Sequence, residues 1–348
     1  MRALVIDEFG APPSVREVPD PDCPPDGVVV RVAATGVCRS DWHAWQGHDD
    51  SVALPHVPGH ELAGEVVAVG PAVSGWRAGD VVTVPFVCAC GVCEVCRAGE
   101  QQVCPHQEQP GFTHWGSFAE LVGLHHADAN LVRLPPGLSA VVAASLGCRF
   151  ATAYRALTVH GRVRAHDEVV VLGAGGVGLS AVQVAVAAGA RVVVVDPSPA
   201  ARAVADGLGA AVTLDPAGLA PEEVARLVVD ATGGGAHVSI DAFGSPATAT
   251  ASVLGLRRRG RHVQAGLLLG EHARPGLPMD RVIAWELEIY GSHGMAAHQY
   301  PAMLADVAAG RLDPGRLVER VVGLDEAAGA LAALGAGTAG AGITVVVP

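Results

Sequence analysis

From Val169 to Ala190 the chain reads VVVLGAGGVGLSAVQVAVAAGA, 22 residues without a charged side chain. Two structures can bury such a stretch. One is a membrane-spanning helix, which needs about 20 apolar residues. The other is a strand, a turn and a helix that are all covered by protein. The first third is β-branched and is then broken by four glycines, each unfavourable inside a helix. The expected structure is therefore a buried strand–turn–helix unit, and no membrane partner is expected.

That choice sets the class of everything that follows. After about Phe150, strand-like and helix-like segments alternate: EVVVLGAGGVG, LSAVQVAVAAGA, RVVVVD, SPAARAVADGLGA, PEEVARLVVDATGG, AHVSIDAFG, ATATASVLGLRRRG and RHVQAGLL. Such alternation predicts an α/β fold, a doubly wound parallel sheet with helices on both faces. The run Arg257–Arg259 reads as a solvated helix end. The first 150 residues have a different texture. GVVVRVAATG, ELAGEVVAVG, GDVVTVPF and FAELVGL are short apolar runs punctuated by Gly and Pro, which predicts a barrel-like all-β body. The alternation weakens near Gly291, and the tail offers a helix, a strand, a helix and a final strand. The expected boundaries are 1–149, 150–293 and 294–348.

Within the buried unit, Gly173-x-Gly175-x-x-Gly178 follows a strand and opens a helix. The first glycine permits the tight turn, the second lets a pyrophosphate approach the backbone, and the third lets helix and strand pack closely. Gly176 and Val177 belong to the same phosphate-binding turn. The alternative is a tight turn with no ligand. The next strand ends in Asp196, at the distance where a carboxylate accepts a ribose 2′-hydroxyl. A carboxylate there favours NAD over NADP, because it repels a 2′-phosphate. Arg202, six residues on, would soften that preference.

Five of the eight cysteines fall between Cys88 and Cys104. The spacing Cys90-x2-Cys93-x2-Cys96-x7-Cys104 lets four thiolates wrap one ion. Four thiolates without a histidine make a closed tetrahedral zinc site of the structural kind, with a four-Cys iron–sulfur cluster as the alternative. Cys88 is left over as an unligated thiol. A second ligand set is dispersed: Cys38 in GVCRSDWHAWQG, His60 and Glu61 in PHVPGHELAGEV, and Cys148 in SLGCRFATAY. Two thiolates and an imidazole with a free fourth position make a catalytic zinc site, but no spacing rule joins these residues without a fold.

Composition narrows the partners. A formal net charge of −12 opposes nucleic acid, whose phosphates need a basic face. All basic side chains except histidine are arginine, which excludes Schiff-base chemistry on lysine. The N-terminus lacks the apolar core of a signal peptide, so a cytoplasmic location is expected, where clustered cysteines stay reduced and bind metal.

Together GVCRSD with its following histidine, GHE, the four-Cys lobe, LGCRFATAY and GAGGVG occur in the order of a known family over essentially the whole chain. The sequence resembles a zinc-dependent medium-chain dehydrogenase of the alcohol dehydrogenase superfamily. The resemblance implies a GroES-like β-barrel catalytic domain split around a Rossmann cofactor domain. It implies that Cys38, His60 and Cys148 bind catalytic zinc, with Glu61 as a transient ligand and Asp41 orienting His60. It implies that Ser40 takes the substrate proton and His43 relays it to solvent, that Arg39 touches the cofactor pyrophosphate, and that Thr152 lies against the nicotinamide. Phe86 matches a substrate-pocket position, although it and His43 have an alternative reading as packing residues. Trp42, Trp45 and Trp115 place bulky aromatics in segments near the presumed pocket, and Trp115 is taken as a pocket residue. The activity implied is an NAD(H)-linked oxidoreductase of a small alcohol, aldehyde or ketone, with two zinc ions per chain and a homodimer or homotetramer joined through the cofactor domains; the three tryptophans point to an apolar or aromatic substrate. The competing readings are a 1,4-reductase of a C=C or iminium bond, a polyol dehydrogenase, and a non-catalytic binding protein.

Overall fold

The computed structural model describes residues 1–348. The chain divides into two units, Met1–Ala151 with Gly294–Gly310 and Pro314–Pro348, and Thr152–His293 with Arg311–Asp313. The first division lies two residues after the 149/150 boundary expected from texture, and three residues of the tail count with the second unit.

The strands in chain order are β1 (Arg2–Val5), β2 (Ser14–Glu17), β3 (Val28–Val37), β4 (Glu61–Val69), β5 (Val81–Thr83), β6 (Leu121–Leu124) and β7 (Val132–Arg133). Then come β8 (Glu168–Leu172), β9 (Arg191–Val195), β10 (Val212–Leu214), β11 (Ala236–Asp241), β12 (Leu256–Gln264) and β13 (Glu288–Gly291). The tail adds β14 (Val318–Gly323) and β15 (Ile343–Val347).

In the first unit seven strands form one sheet, ordered β14-β15-β3-β4-β5-β7, with β6 also on β3. The long β3 is the hub, antiparallel to β4, β6 and β15. Its Val28, Val30 and Val32 are buried with Leu62, Val66, Val82, Val122 and Leu124. Period-two alternation therefore places a valine core on one face, each full burial contributing about 1.5–3 kcal/mol relative to exposure. A second cluster joins β1, Trp45, Phe118 and the helix Ala327–Ala336. Cys88, the leftover cysteine, is buried in the barrel core and bridges to Glu108. Burial pushes its thiol up.

The second unit is a six-stranded parallel sheet ordered β10-β9-β8-β11-β12-β13. The order reverses at β8, and the crevice outside the carboxyl ends of β8 and β11 is where such sheets bind ligands. Of the connecting helices Gly176–Ala187, Pro199–Gly207, Pro221–Ala231 and Pro246–Leu254, the last three begin with proline, whose missing N–H is harmless there. The charge-free segment forms β8 and the helix Gly176–Ala187, which is buried along its middle. No helix is long and apolar enough to cross a membrane.

One expectation is corrected. Arg257–Arg259 lies inside β12 and not at a helix end. The preceding helix already stops at Leu254, capped by Gly255. Between the pairs Ala236↔Leu256 and Val238↔Arg261 the register shifts, so the arginines occupy a bulge. Arg257 Nε donates to the Gly235 carbonyl at 2.8 Å, Arg258 lies over the Trp285 ring, and Arg259 pairs with Glu286.

Candidate active site

Cys38 directly follows β3 and caps the short helix Arg39–Trp45. Its N–H donates to Asp41 Oδ2 at 2.8 Å, the reciprocal bond of a capping box. Asp41 is fully buried, and its other oxygen accepts from the Gly59 N–H at 3.1 Å and from His60 Nδ1 at 2.9 Å. One carboxylate thus ties together the segments carrying Cys38 and His60. With Nδ1 donating to Asp41, Nε2 is the ring nitrogen left over, and that buried atom has no hydrogen-bond partner.

Cys148 arrives from a third segment, the π-helical turn Leu146–Phe150, a local geometry that often marks functional sites. Tyr300 Oη donates to the Gly147 carbonyl at 3.1 Å and steadies this turn. The ligand atoms of Cys38, His60, Glu61 and Cys148 all lie within 4.8 Å of one another. The Cys148 thiol, donating to Cys38, holds Cys38 well below the usual thiol range against the opposing effect of burial, with His60 assisting. The same interaction, together with burial, pushes Cys148 well up. Burial opposes a charge on His60, but Asp41 and Cys38 outweigh it and raise its proton affinity. A buried, proton-sharing set of two sulfurs and an imidazole, with an orphaned Nε2, fits zinc, which takes the place of those protons.

Glu61 opens β4 and is fully buried. Burial pushes its carboxyl up, opposed by the guanidinium of Arg149. Arg149 Nε donates to Glu61 Oε1 at 2.9 Å and a second nitrogen reaches Oε2, a bidentate pair. Sequence reasoning missed Arg149. It adjoins Cys148, yet nothing in the sequence links position 149 to position 61.

The four-Cys lobe folds locally. Successive Sγ separations are 3.4 Å for Cys93–Cys96, 3.6 Å for Cys104–Cys90, 3.8 Å for Cys93–Cys104 and 4.0 Å for Cys90–Cys96. Four sulfurs on a tetrahedron at the zinc–sulfur bond length stand about 3.8 Å apart, and a disulfide would bring them to about 2 Å. Backbone N–H groups of Val92 and Cys93 pull Cys90 down to about 6, while burial pushes Cys96 up to about 12.

The remaining residues of the barrel are placed as follows. Ser40 Oγ is 3.8 Å from Cys38 Sγ. His43 is half-buried, and its Nδ1 meets His48 Nδ1 at 3.0 Å. Arg39 lies over the Trp42 ring. Phe86 stands edge-on to His60, ring centroids 6.2 Å apart. Trp115 packs on the β1 cluster, with Nε1 donating to the Pro55 carbonyl at 2.9 Å. The aromatic ring of that segment lying nearest His60 is Phe112, at 5.3 Å, which sequence reasoning did not single out. Trp45 is a core residue.

In the second unit the three glycines have three different reasons. Gly173 has φ +91°, and a Cβ there would meet Phe243. A Cβ on Gly178 would fall 1.8 Å from the Gly173 carbonyl oxygen. A Cβ on Gly175 would enter open space, the surface a phosphate needs. Gly176 and Val177 form the first turn of the helix, whose unsatisfied N–H groups suit an anion. Asp196 Oδ2 accepts from the Ala174 N–H at 2.6 Å and Oδ1 from Ser198 N–H at 2.8 Å, leaving lone pairs on both oxygens. Arg202 donates to the Asp196 carbonyl at 2.6 Å and pairs with Asp215 at 3.1 Å. Thr152 is buried in the helix Ala151–Arg155. The turn, the helix start and Asp196 fit a dinucleotide.

Comparison with known proteins adds two family matches, an alcohol dehydrogenase GroES-like domain over residues 24–136 and a zinc-binding dehydrogenase domain over residues 176–309. An alcohol dehydrogenase of Rhizobium meliloti is 38% identical over 280 residues, covering 79% of each chain. One from Geobacillus stearothermophilus is 35% identical over 271 residues, covering 77% of this chain and 78% of that one. The solved alcohol dehydrogenase of Thermus sp. ATN1 superposes with a TM-score of 0.91 at 32% identity, covering 100% of this chain and 99% of that one.

Proposed function

Because the chain belongs to the zinc-containing medium-chain dehydrogenase/reductase family, that of the alcohol dehydrogenases, we propose that it interconverts an apolar or aromatic alcohol and the matching aldehyde or ketone with NAD(H). The observation that carries this reading is the orphaned, buried Nε2 of His60 among two thiols. A buried imidazole nitrogen without a hydrogen-bond partner, set beside two thiols, is what a metal ligand offers.

Cys38, His60 and Cys148 would hold the catalytic zinc, which supplies Lewis acidity at the substrate oxygen. A nicotinamide cofactor bound in the second unit would supply hydride acceptor and donor chemistry for the carbinol carbon. Asp41 keeps His60 in the tautomer that presents Nε2. Arg149 holds Glu61 in a buried ion pair beside the ligands. Phe86 and Phe112 cover His60 with apolar surface, which favours an apolar substrate and keeps water from the oxygen. Ser40 accepts the hydroxyl proton in oxidation and returns it in reduction, and His43 carries it outward. The Gly173–Gly178 turn and the helix behind it bind the pyrophosphate, with Thr152 against the nicotinamide. Asp196 accepts the ribose hydroxyls. Arg202 is paired with Asp215 and the Asp196 carbonyl, which offsets its pull on a 2′-phosphate. Cys90, Cys93, Cys96 and Cys104 would hold a second, structural zinc. A cytoplasmic location accords with eight unbridged cysteines. The free edge of β13 supports assembly of a homo-oligomer through the cofactor unit.

The test is a panel of alcohols, aldehydes and ketones with both cofactors, together with metal analysis. Turnover of an alcohol and two zinc ions per chain are expected. Absence of turnover on any alcohol with either cofactor removes the proposal. Turnover confined to a C=C bond would instead favour the 1,4-reductase reading.

Two variants refine it. Asp196→Ala is expected to weaken NADH binding and to narrow the preference over NADPH by about tenfold or more, as loss of a charged hydrogen-bond acceptor of about 1.5–3 kcal/mol implies. Cofactor fluorescence titration reads both affinities, and a wild-type protein already preferring NADPH would contradict the assignment. Cys93→Ser is expected to reduce zinc content by one ion per chain and lower Tm, because a structural zinc contributes folding energy. Its kcat per folded molecule should stay near that of the wild type.

A further inference from the structure

The helix that begins at Cys38 also ends in a defined way. Gln46 caps it, and Gly47 follows with φ +72°. The Gly47 N–H donates to the Ala44 carbonyl at 3.1 Å and the His48 N–H to the His43 carbonyl at 3.0 Å. These are the two bonds of a Schellman motif, which brings the second residue past the cap against the third from the helix end. Those two residues are His48 and His43.

Their side chains meet as well. Nδ1 of one ring lies 3.0 Å from Nδ1 of the other. Trp42 stands edge-on to both, with centroids 4.9 Å from His43 and 5.6 Å from His48. Its ring is fixed from behind, since even a Cβ on Gly335 would fall 2.2 Å from its Nε1. His43 is half-buried and His48 is exposed. At 3.0 Å a single proton lies between the rings, so one nitrogen donates while the other accepts. Burial, His48 and Arg39 lower the proton affinity of His43, opposed by the charge of Cys38.

We propose that His48 is the outer member of a two-imidazole proton wire, which takes from His43 the proton released in alcohol oxidation and delivers it to water. The proposal rests on the dehydrogenase reading above. In oxidation a proton binds His43 Nε2. The His43 Nδ1–H bond then breaks as a His48 Nδ1–H bond forms, and His48 Nε2–H gives its proton to water. One proton enters and one leaves, both rings exchange tautomer, and no charge remains on the pair. Reduction runs the same transfers backwards. A glutamine at position 48 can still hydrogen-bond His43 but cannot accept at one end and release at the other.

The experiment is single-turnover alcohol oxidation by the zinc-loaded enzyme in dilute buffer, with proton release followed by a pH indicator. In H48Q the release is expected to slow roughly tenfold, below the usual range for a direct acid–base residue, and added free imidazole is expected to restore it. Tm and NADH affinity should not change. Release at the wild-type rate in H48Q overturns the proposal, and so does a slowed release that imidazole fails to restore, which would mean that His48 serves only to end the helix. If the wild-type protein oxidises no alcohol, the dehydrogenase reading falls and this proposal with it. Wild-type turnover with an unaffected H48Q removes the wire alone.

Discussion

Cys148→Ser is expected to lower kcat by about a thousandfold or more, equivalent to about 4 kcal/mol of transition-state stabilisation, in a protein that stays folded and still binds NADH. Cys38→Ser is expected to do the same. A serine hydroxyl is smaller and harder than a thiolate and stays neutral in a buried site, so each substitution removes one of two anionic ligands from the ion. The fold tolerates the change because Sγ is not what holds either segment. Cys38 remains under the Asp41 carboxylate through its N–H, and the turn at Cys148 remains under Tyr300 through the Gly147 carbonyl. Steady-state kinetics, NADH fluorescence and a thermal melt read the three quantities. An unfolded Cys148→Ser beside a fully active and equally stable Cys93→Ser would mean that the two cysteine sites have exchanged roles.

Arg149→Met is expected to destabilise the barrel unit by about 3–5 kcal/mol, the cost of leaving one partner of a buried ion pair behind. Both side chains are at least nine-tenths buried, so water does not take over when the guanidinium is removed. Glu61 then either ionises without a partner or takes up a proton that its neighbours do not support. The double variant Arg149→Met/Glu61→Gln should recover much of the loss, because an amide carries no charge. For a unit of this size the single variant lowers Tm by roughly 10 °C. The difference between single and double variants isolates the pair. A single variant that melts like the wild type would show that the pair contributes nothing. The neighbourhood is tight as well: a Cβ on Gly36, the residue paired with Glu61 across β3 and β4, would lie 2.2 Å from Glu61 Oε2.

Legibility in the sequence followed the range of the interactions. The alternation after Phe150 and the Gly173–Gly178 turn were readable because a strand, its turn and its helix are contiguous. The four-Cys lobe was readable because each ligand lies within a few residues of the next. The arginine run was misread because a bulge in β12 depends on its pairing with β11, which no window of sequence contains. Arg149 and Phe112 went unnoticed because their partners, Glu61 and His60, lie far away in the chain. His48 went unnoticed for a different reason. Its signal was local, a glycine after a helix with histidines at the two positions that a Schellman motif brings together, but it only becomes visible once the helix end is located.

The sequence by itself determined what the chain is made of: an acidic, lysine-free protein with a barrel-like half and a doubly wound half, one local four-thiol site and one dinucleotide turn. Spacing suffices for these because chain connectivity already brings the groups together. Tertiary structure alone decided that Cys38, His60, Glu61 and Cys148 converge, that Asp41 leaves His60 Nε2 unpaired, that Arg149 neutralises Glu61, and that Arg202 is held by Asp215. Those facts depend on which surfaces meet when apolar faces of β3, β4 and the turn at Cys148 leave water together. Side chains distant in sequence share a buried space only after the core that surrounds them has formed.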